Sequence, residues 1–126
     1  MKKGILSHYC CCGKTVYTRH TTFIDNNRLL AIAPFTAETA NTIFCDGILV
    51  VVAPEFEKEA QPFLELLKTQ CRENATASIT DLIIENKIFQ SHTAMTGTPC
   101  TVYVVGNISH STLRPIDIEN ISLRKV

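Results

Sequence analysis

The sequence has no tryptophan, two methionines, five glycines, five prolines and no net charge, with 12 Lys+Arg set against 12 Asp+Glu. So little glycine and proline excludes collagen-like and low-complexity chains. Balanced charge and a pI of about 6.9 argue against a nucleic-acid or anionic-membrane binder, which would need a basic excess. No apolar run approaches the ~18–20 residues that cross a bilayer. The longest, Gly47-Ile-Leu-Val-Val-Val-Ala53, fits a buried strand. After Met1-Lys2-Lys3 only Gly4-Ile5-Leu6 precede Ser7-His8, far short of the ~7–15 apolar residues of a secretory leader. The expectation is therefore a cytoplasmic protein with reduced thiols, binding neither nucleic acid nor membrane.

What is present is a foldable chain. Its 126 residues are 45% hydrophobic and 19% charged, which excludes disorder on composition. That length makes one domain, able to remove roughly two thirds of its unfolded surface from water.

Residues 1–53 read as N-terminal strands, about five of them. Thr15–Ile24 is rich in β-branched and aromatic residues that suit a pleated surface. Cys12-Gly13-Lys14 and Asp25-Asn26-Asn27 supply turns, and Arg28–Ala33 returns as the second arm of a hairpin. Thr42–Cys45 and Ile48–Val52 flank Asp46-Gly47, where Gly permits a turn or bulge.

The pattern changes over residues 54–90. Pro54 with Glu55, Glu57 and Glu59 reads as a helix start. Phe56, Ala60, Phe63, Leu64, Leu67 and Cys71 then fall on one helical face, and Pro62 either kinks that helix or marks its true first turn. Ser78-Ile-Thr-Asp81 has capping-box spacing and opens a second helix through Ile79, Leu82 and Ile83 toward Ile88-Phe89. After a loop, residues 98–126 return to strand, at Pro99–Val105 and again at Ile116–Leu123. Strands, helical insertion, strands: the order predicts an α+β fold, mainly β, as a small sandwich or barrel-like domain.

Chemistry is less legible. The six cysteines are Cys10, Cys11, Cys12, Cys45, Cys71 and Cys100, and no Cys-x-x-Cys, His-x-His or His-Glu-x-x-His occurs. Cys10 and Cys12 would share one face of a strand. With Cys45, Cys100 or a histidine they could make a tetrahedral zinc site; the competing reading is small soft thiols filling a core. No Gly-x-Ser-x-Gly elbow and no Gly-rich phosphate loop is present. The polar, glycine-containing segment His92–Thr98 is either a ligand-binding loop or a plain connection.

The pieces His8-Tyr9, Asp25-Asn-Asn-Arg-Leu-Leu-Ala-Ile-Ala-Pro34 and Phe44-Cys-Asp-Gly-Ile-Leu-Val50 resemble the N-terminal segment of the amidohydrolase superfamily, the metal-dependent hydrolases. Val102-Tyr-Val-Val105, Leu113-Arg-Pro and Ser122-Leu-Arg-Lys125 are similar to that superfamily's last strands. The metal-binding His-x-His pair would follow the first segment, but here Val51-Val-Ala-Pro-Glu-Phe56 leads into a helix. A catalytic (β/α)₈ barrel alone takes ~200 residues or more. The resemblance thus implies a stand-alone composite β-domain without the barrel, without a cofactor, and leaning away from an enzyme. Such a domain would act by association or stand as a degenerate remnant, the sheet face that has lost its barrel being covered by its own helices or by a second copy, with a symmetric homodimer as the simplest solution. The alternative is a small ligand- or metal-binding protein using the Cys10–Cys12 cluster or the His92–Thr98 loop.

Overall fold

In the computed structural model, which describes residues 2–36 and 41–126, the long strands Lys2–Cys12 (β1) and Thr15–Asp25 (β2) form an antiparallel hairpin. Gly13, at φ +62, makes its tight turn. Arg28–Pro34 (β3) returns against β2 through Asn26 and Asn27, whose φ values of 53° and 60° give the doubly left-handed turn that matches strand twist. The other side of β1 is shared. Thr42–Phe44 (β4) pairs parallel with Gly4–Leu6, and Ile48–Val52 (β5) pairs parallel with Tyr9–Cys11. Thr101–Gly106 (β6) and Ser122–Lys125 (β7) extend the sheet antiparallel from β5. The result is one mixed seven-stranded sheet, order β3-β2-β1-β5-β6-β7, with β4 beside β1.

The sheet curls on itself. Leu29 N–H donates to the Thr98 carbonyl at 3.0 Å, Gly97 N–H to Leu29 at 2.7 Å, and Cys100 N–H to Asn27 at 2.8 Å. The start of β3 thus meets the segment leading into β6, bridged at Arg28 and Pro99. Inside this curl lies a core of Ile5, Cys10, Ile24, Leu29, Leu49, Val51, Val102 and Val104. The opposite face carries Cys11, Ile48, Val50, Val52, Tyr103 and Val105 beneath the helices. A strand buried on both faces must be apolar at every position, which is why β5 reads Ile-Leu-Val-Val-Val.

The helical layer is Ala60–Glu73 (α1), Ile79–Glu85 (α2) and Lys87–Ser91 (α3), preceded by a 3-10 turn at Pro54–Glu59. Pro62 lies in the first turn of α1, where its missing N–H has no intrahelical partner to lose. Ser78 Oγ accepts from Asp81 N–H at 3.3 Å, the expected N-cap. The second helix does not run through to Phe89 as expected. Asn86 interrupts it, because its Oδ1 accepts from the N–H groups of Ile88 (2.9 Å) and Phe89 (3.3 Å) and starts a new helix. The last strand also begins later than the Ile116 of the sequence pattern. Asp117 accepts from Glu119 N–H at 3.2 Å and from Asn120 Nδ2 at 2.9 Å, so local side-chain bonding favours a 3-10 turn at Ile118–Asn120. The domain is α+β, and among the described residues no helix is long and apolar enough to cross a membrane.

Arg114 fastens the C-terminal segment to this layer. Its guanidinium donates to the carbonyls of Asn74 (2.9 Å), Ala77 (2.9 Å) and Cys71 (3.1 Å), orphan acceptors at and beyond the end of α1. Two nitrogens of one planar fork reach these separate carbonyls, a geometry that the single nitrogen of an ammonium does not reproduce. Arg114→Met is therefore expected to lower stability by about 1.5–3 kcal/mol, and Arg114→Lys to recover little of it. Urea midpoints of the two variants check this.

Candidate functional site

The cysteine cluster is divided by the pleat. Cys10 points into the curl and Cys11 to the helical face. Cys10 lies 3.5 Å from Thr22 Oγ1 and Cys12 Sγ donates to the Ala94 carbonyl at 3.5 Å. Burial pushes the Cys10 thiol up to about 12, despite the Thr22 hydrogen bond, and the Cys12 thiol up to about 11. The Cys11, Cys45, Cys71 and Cys100 thiols are raised as well, each chiefly by burial. Metal ligation and nucleophilic attack need thiolate, and these surroundings oppose it. Among the described residues, no three His, Cys, Asp or Glu side chains are placed to hold a metal ion.

The raised thiols give a pH dependence with a definite sign. Below the ordinary thiol value of 9.0, folded and unfolded chains both keep these protons. Between that value and the folded values of about 11 and 12, the unfolded chain releases protons that the folded chain retains. Stability is thus fully present below pH 9 and is expected to fall as pH rises toward 12. Urea unfolding at pH 8 and at about pH 10.5 checks it, with a smaller drop expected for Cys12→Ala.

The His92–Thr98 loop is committed to closing the curl. Thr93 bridges Val52, and the backbone of Gly97 (φ +86) and Thr98 pairs with Leu29. Thr98 Oγ1 donates to the Met95 carbonyl at 2.6 Å and accepts from Met95 N–H at 3.1 Å, while His92 Nδ1 lies 2.9 Å from the Ile88 carbonyl. The Thr98 hydroxyl is thus engaged within the turn and one His92 ring nitrogen against α3.

The most open chemistry lies elsewhere, at a corner of the sheet that no sequence motif marks. Along β1, Ile5 faces the inner core, yet so does Cys10. A regular strand would put an odd and an even residue on opposite faces. The switch occurs around His8 and Arg19, the one gap in the β1–β2 register between Ser7↔His20 and Tyr9↔Thr18. Arg19 has φ +56, a left-handed backbone that is uncommon for a non-glycine residue. Strands turn barrel corners by such bends, and this one falls where β1 changes partner from β4 to β5. Gly47, at φ +128 and buried, makes the corresponding step between those two strands. No sequence signal marks this break, because the shared face of Ile5 and Cys10 shows only in their burial.

Around this corner a cavity of about 360 Å³ opens between Ser7, His8, Arg19, Phe35 and Phe44. Phe35 is held there by its N–H, which donates to the Arg19 carbonyl at 2.9 Å. Ser7 is 1% exposed, and among the described residues its Oγ has no hydrogen-bond partner. Beside the cavity, the His8 ring stands edge-on to Phe44 at 5.4 Å and packs on His110 at 5.1 Å. His110 Nε2 in turn lies 2.7 Å from Asp46 Oδ1.

Compared with protein-family models, with curated proteins and with solved structures, the chain matches none.

Proposed function

We propose that the chain is a non-catalytic association domain, similar to the composite β-domain of the amidohydrolases, and that it pairs with a second copy of itself. Three features support this reading. N- and C-terminal strands share one sheet, with helices inserted where that superfamily carries its barrel. The groups best suited to chemistry, the thiols, are held protonated by burial. The observation that carries the reading is β4, which pairs only with β1 among the described residues and exposes Ile43 (49%) and Phe44 (55%).

Sheet edges are normally guarded by charge, especially lysine. The edge strand β7 follows that rule, with Arg124 and Lys125 exposed. β4 breaks it: Thr42-Ile43-Phe44 has no charged side chain. A strand edge is self-complementary about a twofold axis, so two copies can extend pairing β4 to β4 and bury Ile43. Ile43→Asp is expected to leave the fold intact and to shift sedimentation to a monomer, because it places a carboxylate at the centre of that contact. Unchanged self-association of this variant would sink the assignment of β4 as the interface.

A further inference from the structure

We propose that the corner cavity is a binding site for a small carboxylate with a flat apolar body, the carboxylate held by Arg19 and Ser7 and the body by Phe35 and Phe44. Three independent observations converge on it. The Ser7 hydroxyl is buried without a partner among the described residues, although buried polar groups are almost always hydrogen-bonded, and Ser7 lines the cavity. An incoming oxygen would supply the missing bond. Arg19, which borders the same space, holds a left-handed backbone, and such outliers cluster at ligand clamps. Its guanidinium makes no ion pair among the described residues, so five donors are free for a planar anion.

The chemistry of the walls narrows the class. Phe44 is 55% exposed, a large apolar surface that a ligand's body would cover. Together with Phe35 and Leu6 it supplies the apolar part of the lining. A single guanidinium matches one negative charge; a phosphate dianion would call for more than one cation. The volume of about 360 Å³ is at the lower end of the ~300–1,000 Å³ of small-molecule sites, which suits a ligand the size of an arylcarboxylate. His8 offers a further ring nitrogen at the rim. The site shares Phe44 with β4, but Ile43, at the centre of the proposed pairing contact, is not part of its lining, so Ile43→Asp separates the two proposals.

The test is an NMR titration of the full chain with benzoate, following backbone amides. Saturable shifts centred on Ser7, His8, Arg19 and Phe44 are expected. Benzamide, the uncharged isostere, should bind roughly tenfold to a hundredfold more weakly, as expected for losing a charged hydrogen bond. Arg19→Asn should weaken benzoate by a similar factor, because Asn tolerates the left-handed backbone and removes the charge. Absence of saturable benzoate shifts would overturn the proposal. So would equal affinity for benzamide, which needs no variant to measure, or inorganic phosphate binding as tightly as benzoate.

Discussion

Gly47→Ala is expected to lower stability by about 2–6 kcal/mol, the sum of backbone strain and overpacking of about 1–3 kcal/mol each. A Cβ at this position would stand 2.7 Å from the Val105 carbonyl oxygen and 2.7 Å from Val104 Cγ1. The first of these atoms belongs to the backbone of β6, which cannot move without breaking the ladder to β5. The φ of +128 is itself closed to side chains. Because folded domains are stable by only ~5–15 kcal/mol, the substitution takes away a large share of the total. Urea unfolding should show a much lower midpoint at an unchanged slope. A midpoint within experimental error of the parent would mean that the step from β4 to β5 is not rigidly fixed.

Phe56→Ala follows, at about 3–5 kcal/mol. Phe56 is fully buried, and its ring packs at 5.2 Å against both Phe63 and Tyr103. It therefore joins the 3-10 turn, α1 and β6 in one cluster, and truncation leaves a cavity that three elements must share. Thermal unfolding gives the check: a loss near 1 kcal/mol would show that the helical layer repacks freely.

These two positions differ in how visible they are from the sequence. Phe56 stands on an apolar helical stripe with Phe63, Leu67 and Cys71, and periodicity alone assigns it to the core. Gly47 could be read as a turn or bulge, but not as the step that lets one strand hand β1 from β4 to β5. Turn chemistry was legible at Asn26-Asn27 and at Ser78, because those residues bond to their own local backbone. It was also decisive at Asn86 and Asp117, where the same local bonding overrode an apolar pattern that suggested continued helix or strand.

The corner site was harder to see for a physical reason. Ser7, His8, Arg19, Phe35 and Phe44 come from four separate segments, and only the bend at Arg19 brings them to one place. His110 meets Asp46 across 64 positions of sequence, a separation at which no motif can register. The cysteines illustrate the converse. Adjacent in sequence, they are separated by the pleat, so a cluster on paper becomes thiols in two different cores.

The proposed pairing through β4 with a second copy is open to direct measurement. Sedimentation equilibrium of the unmodified chain over a wide concentration series tests it most directly. A mass that rises with concentration from 14.0 kDa toward twice that value is expected. A single species of 14.0 kDa at every concentration would contradict it.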